Sequence, residues 1–247
     1  VKNDAPVQIL FDVSLSMLAT DMQPSRFDVM KNAVGQLLLG LSEHPVSLIA
    51  FSGAPFVYSP FSVDAKSLLF KWNAMDFSDF PPDPSFVGTA IGDALLLALN
   101  GFEDQALMSF SGSGVVVLIT DGDSNMGIDP QQVLSFWEKY DFPIFVFAVG
   151  HEDYLLGYDY FDVPVMTSID IALLREIADR SSGKFYRILS VEDFEKSVEA
   201  VLSHMEQHSS YTVVSYYYSI NRILWYALGL LVVFLLLRLG VLLRLRR

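Results

Sequence analysis

The chain has 247 residues, with 29 Asp and Glu against 16 Lys and Arg, a formal net charge of −13 at pH 7, and 52% hydrophobic residues. That length holds one domain of about 200 residues plus an appendage, and the acidic balance argues against a nucleic-acid partner, whose phosphates need a basic face. With no cysteine, a disulfide framework and thiolate chemistry are excluded, and redox usage says nothing of the compartment.

Apolar runs alternate with helical patterns along most of the chain, the signature of an α/β fold with a doubly wound, mainly parallel sheet of Rossmann-like type covered on both faces. The first strand is expected at Val7–Phe11, followed at once by Asp12, Ser14 and Ser16. A helix over Arg26–Leu41 and a strand over Val46–Phe51 come next. Phe56–Phe61 reads as a short edge strand or hairpin, since Gly53 and Pro55 precede it and Pro60 limits it. Helical patterns at Ala65–Met75 and Ala90–Phe102 flank a loop, Asp76–Phe86, that carries Pro81, Pro82 and Pro84 among acids; Gly88-Thr89 opens the second of these helices. The apolar run Val115–Thr120 ends at Asp121, and a helix over Pro130–Tyr140 starts with Asp129 as its cap and Pro130 in its first turn. After a strand at Ile144–Val149 comes a second irregular loop, His151–Thr167; long loops of this kind are where recognition tends to reside. A helix at Asp170–Arg180 with a stop at Gly183, a strand at Lys184–Ile188 and a helix at Val191–Gln207 complete a domain spanning 1–207.

A juxtamembrane linker, 208–221, leads to a different kind of segment. Ile223–Leu243 holds 21 residues with a single charge, Arg238; as a helix it measures roughly 30 Å, the hydrocarbon thickness of a bilayer. A transmembrane helix is therefore expected over 222–243, followed by a short basic tail, 244–247. Trp225 and Tyr226, with Tyr216, Tyr217 and Tyr218 just outside, suit the headgroup level at one end, and Arg244, Arg246 and Arg247 mark the other. All 29 acidic residues precede Arg222. The positive-inside rule places the basic end in the cytoplasm and the acidic domain on the outer, periplasmic face of a bacterial inner membrane. The chain begins on Val, which reads as a fragment or processed form whose N-terminal signal or anchor is out of view.

The chemistry-bearing residues lie at strand ends. In an open parallel sheet ligands collect beyond the carboxyl ends of the strands, near the point where strand order reverses, and Asp12 and Asp121 each end a buried strand while Thr89 sits in a loop entering a helix. Oxygen atoms of Ser14, Ser16 and Thr89 would coordinate an ion or orient its waters, and the two carboxylates would balance a double charge. An all-oxygen set without His or Cys suits Mg²⁺, or another divalent cation such as Mn²⁺ or Ca²⁺. Taken singly, each of these residues could instead cap a helix or close a local turn. His204 and His208, four apart on a helix, read as a solvated pair, and His44 and His151 as isolated. Ser14 or Ser16 as a nucleophile lacks a His in a recognisable triad context, and no Gly-x-Gly-x-x-Gly follows the first strand to bind a dinucleotide.

Asp12-x-Ser14-x-Ser16, then Thr89, then Asp121 within Thr120-Asp-Gly-Asp123, resembles the metal-ion-dependent adhesion site of von Willebrand factor type A domains, over about residues 7 to 205. Asp21-Met-Gln-Pro-Ser-Arg26, Phe51-Ser-Gly53, Gly88-Thr-Ala-Ile-Gly92 and Thr120-Asp-Gly122 are similar to the membrane-anchored bacterial Bat-type proteins associated with aerotolerance. Leu15 stands where many relatives have Gly, at a position that supplies no ligand. The resemblance implies a site that binds an Asp or Glu of a protein partner, another envelope protein, through the metal, with no catalysis. Two other readings stay open: a Mg²⁺-dependent hydrolase using Asp12 or Asp121, and a structural membrane anchor whose metal serves only folding.

Overall fold

The computed structural model describes residues 5–80, 88–106, 114–122, 124–158 and 161–208, together with Trp225; side chains at 104–106 and 207–208 fall outside that description. The domain is contained in one compact unit, 3–210. In chain order the elements are β1 (Val7–Asp12), α1 (Arg26–Gly40), β2 (Val46–Phe51), β3 (Pro55–Ser62), α2 (Ala65–Ala74), α3 (Ile91–Ala106), β4 (Val115–Thr120), α4 (Pro130–Trp137), β5 (Ile144–Val149), β6 (Leu155–Tyr158), β7 (Pro164–Met166), α5 (Ile171–Arg180), β8 (Lys184–Ile188) and α6 (Val191–His208). A 3-10 turn, Leu15–Leu18, follows β1.

Six strands form the main sheet in the order β3-β2-β1-β4-β5-β8. Every neighbouring pair is parallel except β2 with β3, which is antiparallel with register shifts on either side of the Leu48–Ser59 pair, beside Pro60 of the edge strand. β1, β2, β4 and β5 are buried along their whole length, which explains why they read as unbroken apolar runs. One face of the sheet packs on α1, α2 and α6 through Phe11, Met30, Leu37, Trp72, Phe147 and Phe194; the other packs on α3, α4 and α5 through Leu10, Leu95, Leu118, Leu134, Val146 and Ile177. Phe11 meets Trp72 edge-on at 4.9 Å, and the indole N–H of Trp72 donates to the Lys31 carbonyl at 2.8 Å, so its burial leaves no lost donor. Helix starts are capped as the sequence signals: Ser25 and Asp129 accept backbone N–H bonds from Asp28 and Gln131.

Two expectations are corrected and others are refined. The loop expected over His151–Thr167 contains an antiparallel hairpin, β6 with β7, whose strands are largely exposed and so carry no burial periodicity. α5 stops where expected: Ser182 takes the left-handed conformation at φ 58° and the Gly183 amide donates to the Ala178 carbonyl at 2.9 Å, while a Cβ on Gly183 would stand 1.9 Å from the Ile144 carbonyl oxygen. His204 is half-buried, with its ring 5.0 Å from that of Phe145, and the side chain of His208, its expected companion, lies outside the described residues. His151 is not isolated, as described below. Residues 81–87 of the Pro-rich loop lie outside the described residues. So does the expected span over 222–243, apart from Trp225; among the described residues no helix is long and apolar enough to cross a membrane.

Candidate metal centre

β1 lies between β2 and β4, and the chain builds outward first on one side and then on the other. The carboxyl ends of β1 and β4 are therefore the switch point at which a doubly wound sheet opens a crevice. Parallel register pairs Phe11 with Ile119, which sets Asp12 beside Thr120 at that edge. Thr120 Oγ1 donates to Asp12 Oδ2 at 2.6 Å, and the Ser14 amide donates to Asp12 Oδ1 at 2.8 Å. The second bond is the local turn that the sequence left open for Asp12, so that alternative holds in part. It does not account for the rest of the site. Ser14 heads the 3-10 turn without a side-chain cap bond; its Oγ lies 3.0 Å from Ser16 Oγ, and Ser16 Oγ donates to Asp121 Oδ1 at 2.8 Å across 105 residues of sequence.

Thr89 arrives on a separate loop. Its amide donates to Asn125 Oδ1 at 2.9 Å, its carbonyl accepts the Asn125 amide at 3.1 Å, and the next amide, of Ala90, bonds to the Ser52 carbonyl at 2.7 Å. These bonds tie the start of α3 to the ends of β2 and β4. Thr89 Oγ1 comes so near the turn after Asp121 that a Cβ on Gly122 would stand 3.2 Å from it. The structure thus brings together all five expected residues, Asp12, Ser14, Ser16, Thr89 and Asp121. All are buried except Ser16, which is half-buried.

Two partners of this cluster are absent from the expected set. Arg26, at the start of α1, has no exposed surface. Its Nε and Nη2 donate to Asp21 Oδ1 and Oδ2, both at 2.7 Å, its Nη1 donates to Asp121 Oδ2 at 2.9 Å, and Nη2 also donates to the His151 carbonyl at 3.0 Å. Asp21 further accepts the His151 amide at 2.7 Å, and the His151 ring nitrogen Nδ1 lies 3.2 Å from the same carboxylate. The Asp21…Arg26 spacing was visible in the sequence as part of a family resemblance, but nothing in its local pattern joins it to Asp121.

Electrostatics follow from burial. Desolvation raises the Asp12 carboxyl above its ordinary range, against the hydrogen bonds of Ser14 and Thr120. Asp121 is pushed up to about 7 by desolvation and by the neighbouring Asp12, with Arg26 and Ser16 opposing. Two carboxylates held close together in a dry edge favour a bound cation. The donor set agrees: two carboxylates and three hydroxyls, with Ser52 Oγ and Ser124 Oγ also buried in the surrounding loops and without a hydrogen-bond partner among the described residues. No group of three or more His, Cys, Asp or Glu able to hold a metal occurs among the described residues, so hydroxyls would have to complete any ligand set at this edge. A hard cation with oxygen and water ligands is what these residues fit.

An α/β sheet with a hydroxyl-and-carboxylate cluster at its switch point defines a doubly wound domain with a candidate ligand crevice. Residues 7–124 match the family model of the von Willebrand factor type A domain. Among solved structures it is similar to BatB from Bacteroides thetaiotaomicron, at 27% identity and a TM-score of 0.68, covering 82% of this chain and 99% of that one. An aerotolerance-related membrane protein from Bacteroides fragilis gives 26% identity and a TM-score of 0.66 over the same shares. A UPF0353 protein from Mycolicibacterium paratuberculosis is 24% identical over 210 residues, 81% of this chain and 61% of its own length; one from Nocardia farcinica is 26% identical over 234 residues, 85% of this chain and 64% of its own length. The chain therefore spans somewhat under two thirds of the length of these relatives.

Proposed function

We propose that this chain is a membrane-anchored interaction protein whose type A domain holds a divalent cation, Mg²⁺ first, at Asp12, Ser14, Ser16, Thr89 and Asp121, and binds an Asp or Glu of an envelope protein partner there. In this reading residues 222–243 cross the cytoplasmic membrane and the domain, 1–207, works on its periplasmic face. The observation that carries the proposal is the convergence of three separate segments on one edge: the β1 turn, the Thr89 loop and the β4 end meet where the Ser16–Asp121 bond closes across the sheet at 2.8 Å. When bound, Mg²⁺ would supply an electrophilic centre with positions left for an incoming carboxylate. Three of its five ligands are neutral hydroxyls and one oxygen of Asp121 is already paired with Arg26, so the ion would keep part of its charge for an incoming carboxylate. The similarity to proteins described as BatB and as an aerotolerance-related membrane protein supports a membrane setting.

The test is affinity purification of the full chain from membranes with and without chelator, beside calorimetric titration with Mg²⁺. Asp12→Ala should remain folded and lose most Mg²⁺ affinity, and chelator should release the partner. Undiminished Mg²⁺ binding in Asp12→Ala would remove the site. Partner capture that ignores both chelator and Asp12→Ala would favour the anchor reading, and turnover of phosphate esters by the purified chain would favour the hydrolase.

A further inference from the structure

Asp121 does not face the crevice alone. One of its oxygens accepts from Ser16, on the side of the serine turn, while the other is held by Arg26 Nη1 at 2.9 Å. The guanidinium is locked: Asp21 grips it through two bonds of 2.7 Å, the His151 carbonyl takes a fourth bond, and the Gly150 backbone closes against it. With no exposed surface, this charge is screened little by solvent. A buried ion pair is seldom more stabilising than well-packed apolar side chains of similar size, so its place directly behind a metal-site carboxylate calls for a different explanation.

We infer that Arg26 sets the strength of the cation site: its fixed positive charge, divided between Asp121 and Asp21, weakens the hold of Asp121 on a divalent ion and leaves that ion dependent on a further anionic ligand. The inference rests on the cation reading given above. Asp21 is then the counterweight. Through its two-point grip it decides how much of the Arg26 charge reaches Asp121, although Asp21 has no hydrogen bond to any of the five cluster residues. An arginine is needed because its planar fork can pair one carboxylate twice and a second one at once, which a lysine ammonium does not reproduce.

This assignment gives effects of opposite sign, which a purely structural role does not. The full chain, purified in mild detergent at one neutral pH, is titrated with Mn²⁺ and free Mn²⁺ is read by electron paramagnetic resonance. Asp21→Asn leaves the whole Arg26 charge on Asp121 and should weaken Mn²⁺ binding about tenfold, the scale of one charge acting through partly dry protein. The double variant Asp21→Asn with Arg26→Gln removes both charges, preserves the net charge, and should bind Mn²⁺ about tenfold more tightly than the wild type for the same reason. Arg26→Lys, which keeps the charge and loses the fork, should stay within about threefold of the wild type. Circular dichroism checks the fold of each. If the double variant does not fold, Asp21→Asn against Arg26→Lys decides: weakening in the first alone supports the assignment, and unchanged binding in Asp21→Asn, or equal loss in both, overturns it. Weakening in Asp21→Asn and the folded double variant alike also overturns it and leaves Arg26 a structural residue. A wild-type chain that takes up no Mn²⁺ or Mg²⁺ instead overturns the cation site itself.

Discussion

Arg26 has room because residue 150 is glycine. Gly150 sits at φ +92°, a left-handed conformation that side chains disfavour, and a Cβ there would stand 2.2 Å from the Arg26 Cζ. Gly150→Ala therefore combines backbone strain with displacement of a buried ion, and is expected to lower stability by about 2–4 kcal/mol in urea denaturation. A loss under about 0.5 kcal/mol, the size of an ordinary surface change, would show that the guanidinium has slack. Asp21 gives a second test at this scale. Burial alone would raise its carboxyl, but hydrogen bonds from Arg26 and from the His151 amide, with the Arg26 charge, outweigh burial and bring it from 3.8 to about 2. Arg187, on β8, also feels this carboxylate. A carboxyl depressed in the folded state stabilises above its unfolded pKa and loses that contribution as pH falls through the folded one. Stability should thus decline between pH 3.8 and about 2 in the wild type, and Asp21→Asn should lack that part of the decline. An identical acid limb in both proteins would mean that Asp21 is not held as described. The Asp12 and Asp121 positions were legible because a carboxylate closing an apolar run is conspicuous; the Arg26–Asp121 pair, 95 residues apart, exists only once the strands are ordered.

At the scale of elements, legibility follows burial. β1, β2, β4 and β5 are apolar on both faces because helices cover both, so each was readable from its own residues. The β6–β7 hairpin, with almost every residue exposed, has no core to impose a period and was read as loop. Thr89 belongs to a third kind of segment. It is fixed not by a strand but by loop hydrogen bonds to Asn125 and Met126 and, through Ala90, to Ser52, so it can shift against Asp12 without breaking the sheet. Thr89→Ala is accordingly expected to weaken partner capture from membranes more than it weakens Mg²⁺ binding measured by calorimetry. Equal loss in the two assays would make Thr89 an ordinary ligand of the ion. No loss in either would remove it from the site.

For the whole molecule, the sequence separates two regimes that no single solvent suits. All 29 acidic residues precede Arg222, and Ile223–Leu243 carries one charge before the closing arginines. Water favours the first part, while the second, 21 residues with a single charge, would in helical form match a bilayer core of roughly 30 Å, as the proposed span requires. For a segment that spans as proposed, the charge asymmetry predicts a direction, because arginines at a span's end are retained on the cytoplasmic side while an acidic domain meets no such restriction. If the chain is oriented as proposed, the crevice between β1 and β4 would be open to partners outside the cytoplasm, where a bound cation would offset the repulsion between an acidic domain and a partner carboxylate. A cytoplasm-active reporter fused after Arg247 should therefore be active, a periplasm-active one silent, and protease added to spheroplasts should digest the domain. The opposite pattern, with the domain protected and the periplasmic reporter active, would place the cation site in the cytoplasm and require a different set of partners. Release of the chain from membranes by high salt or carbonate alone would instead show that residues 222–243 do not span the bilayer.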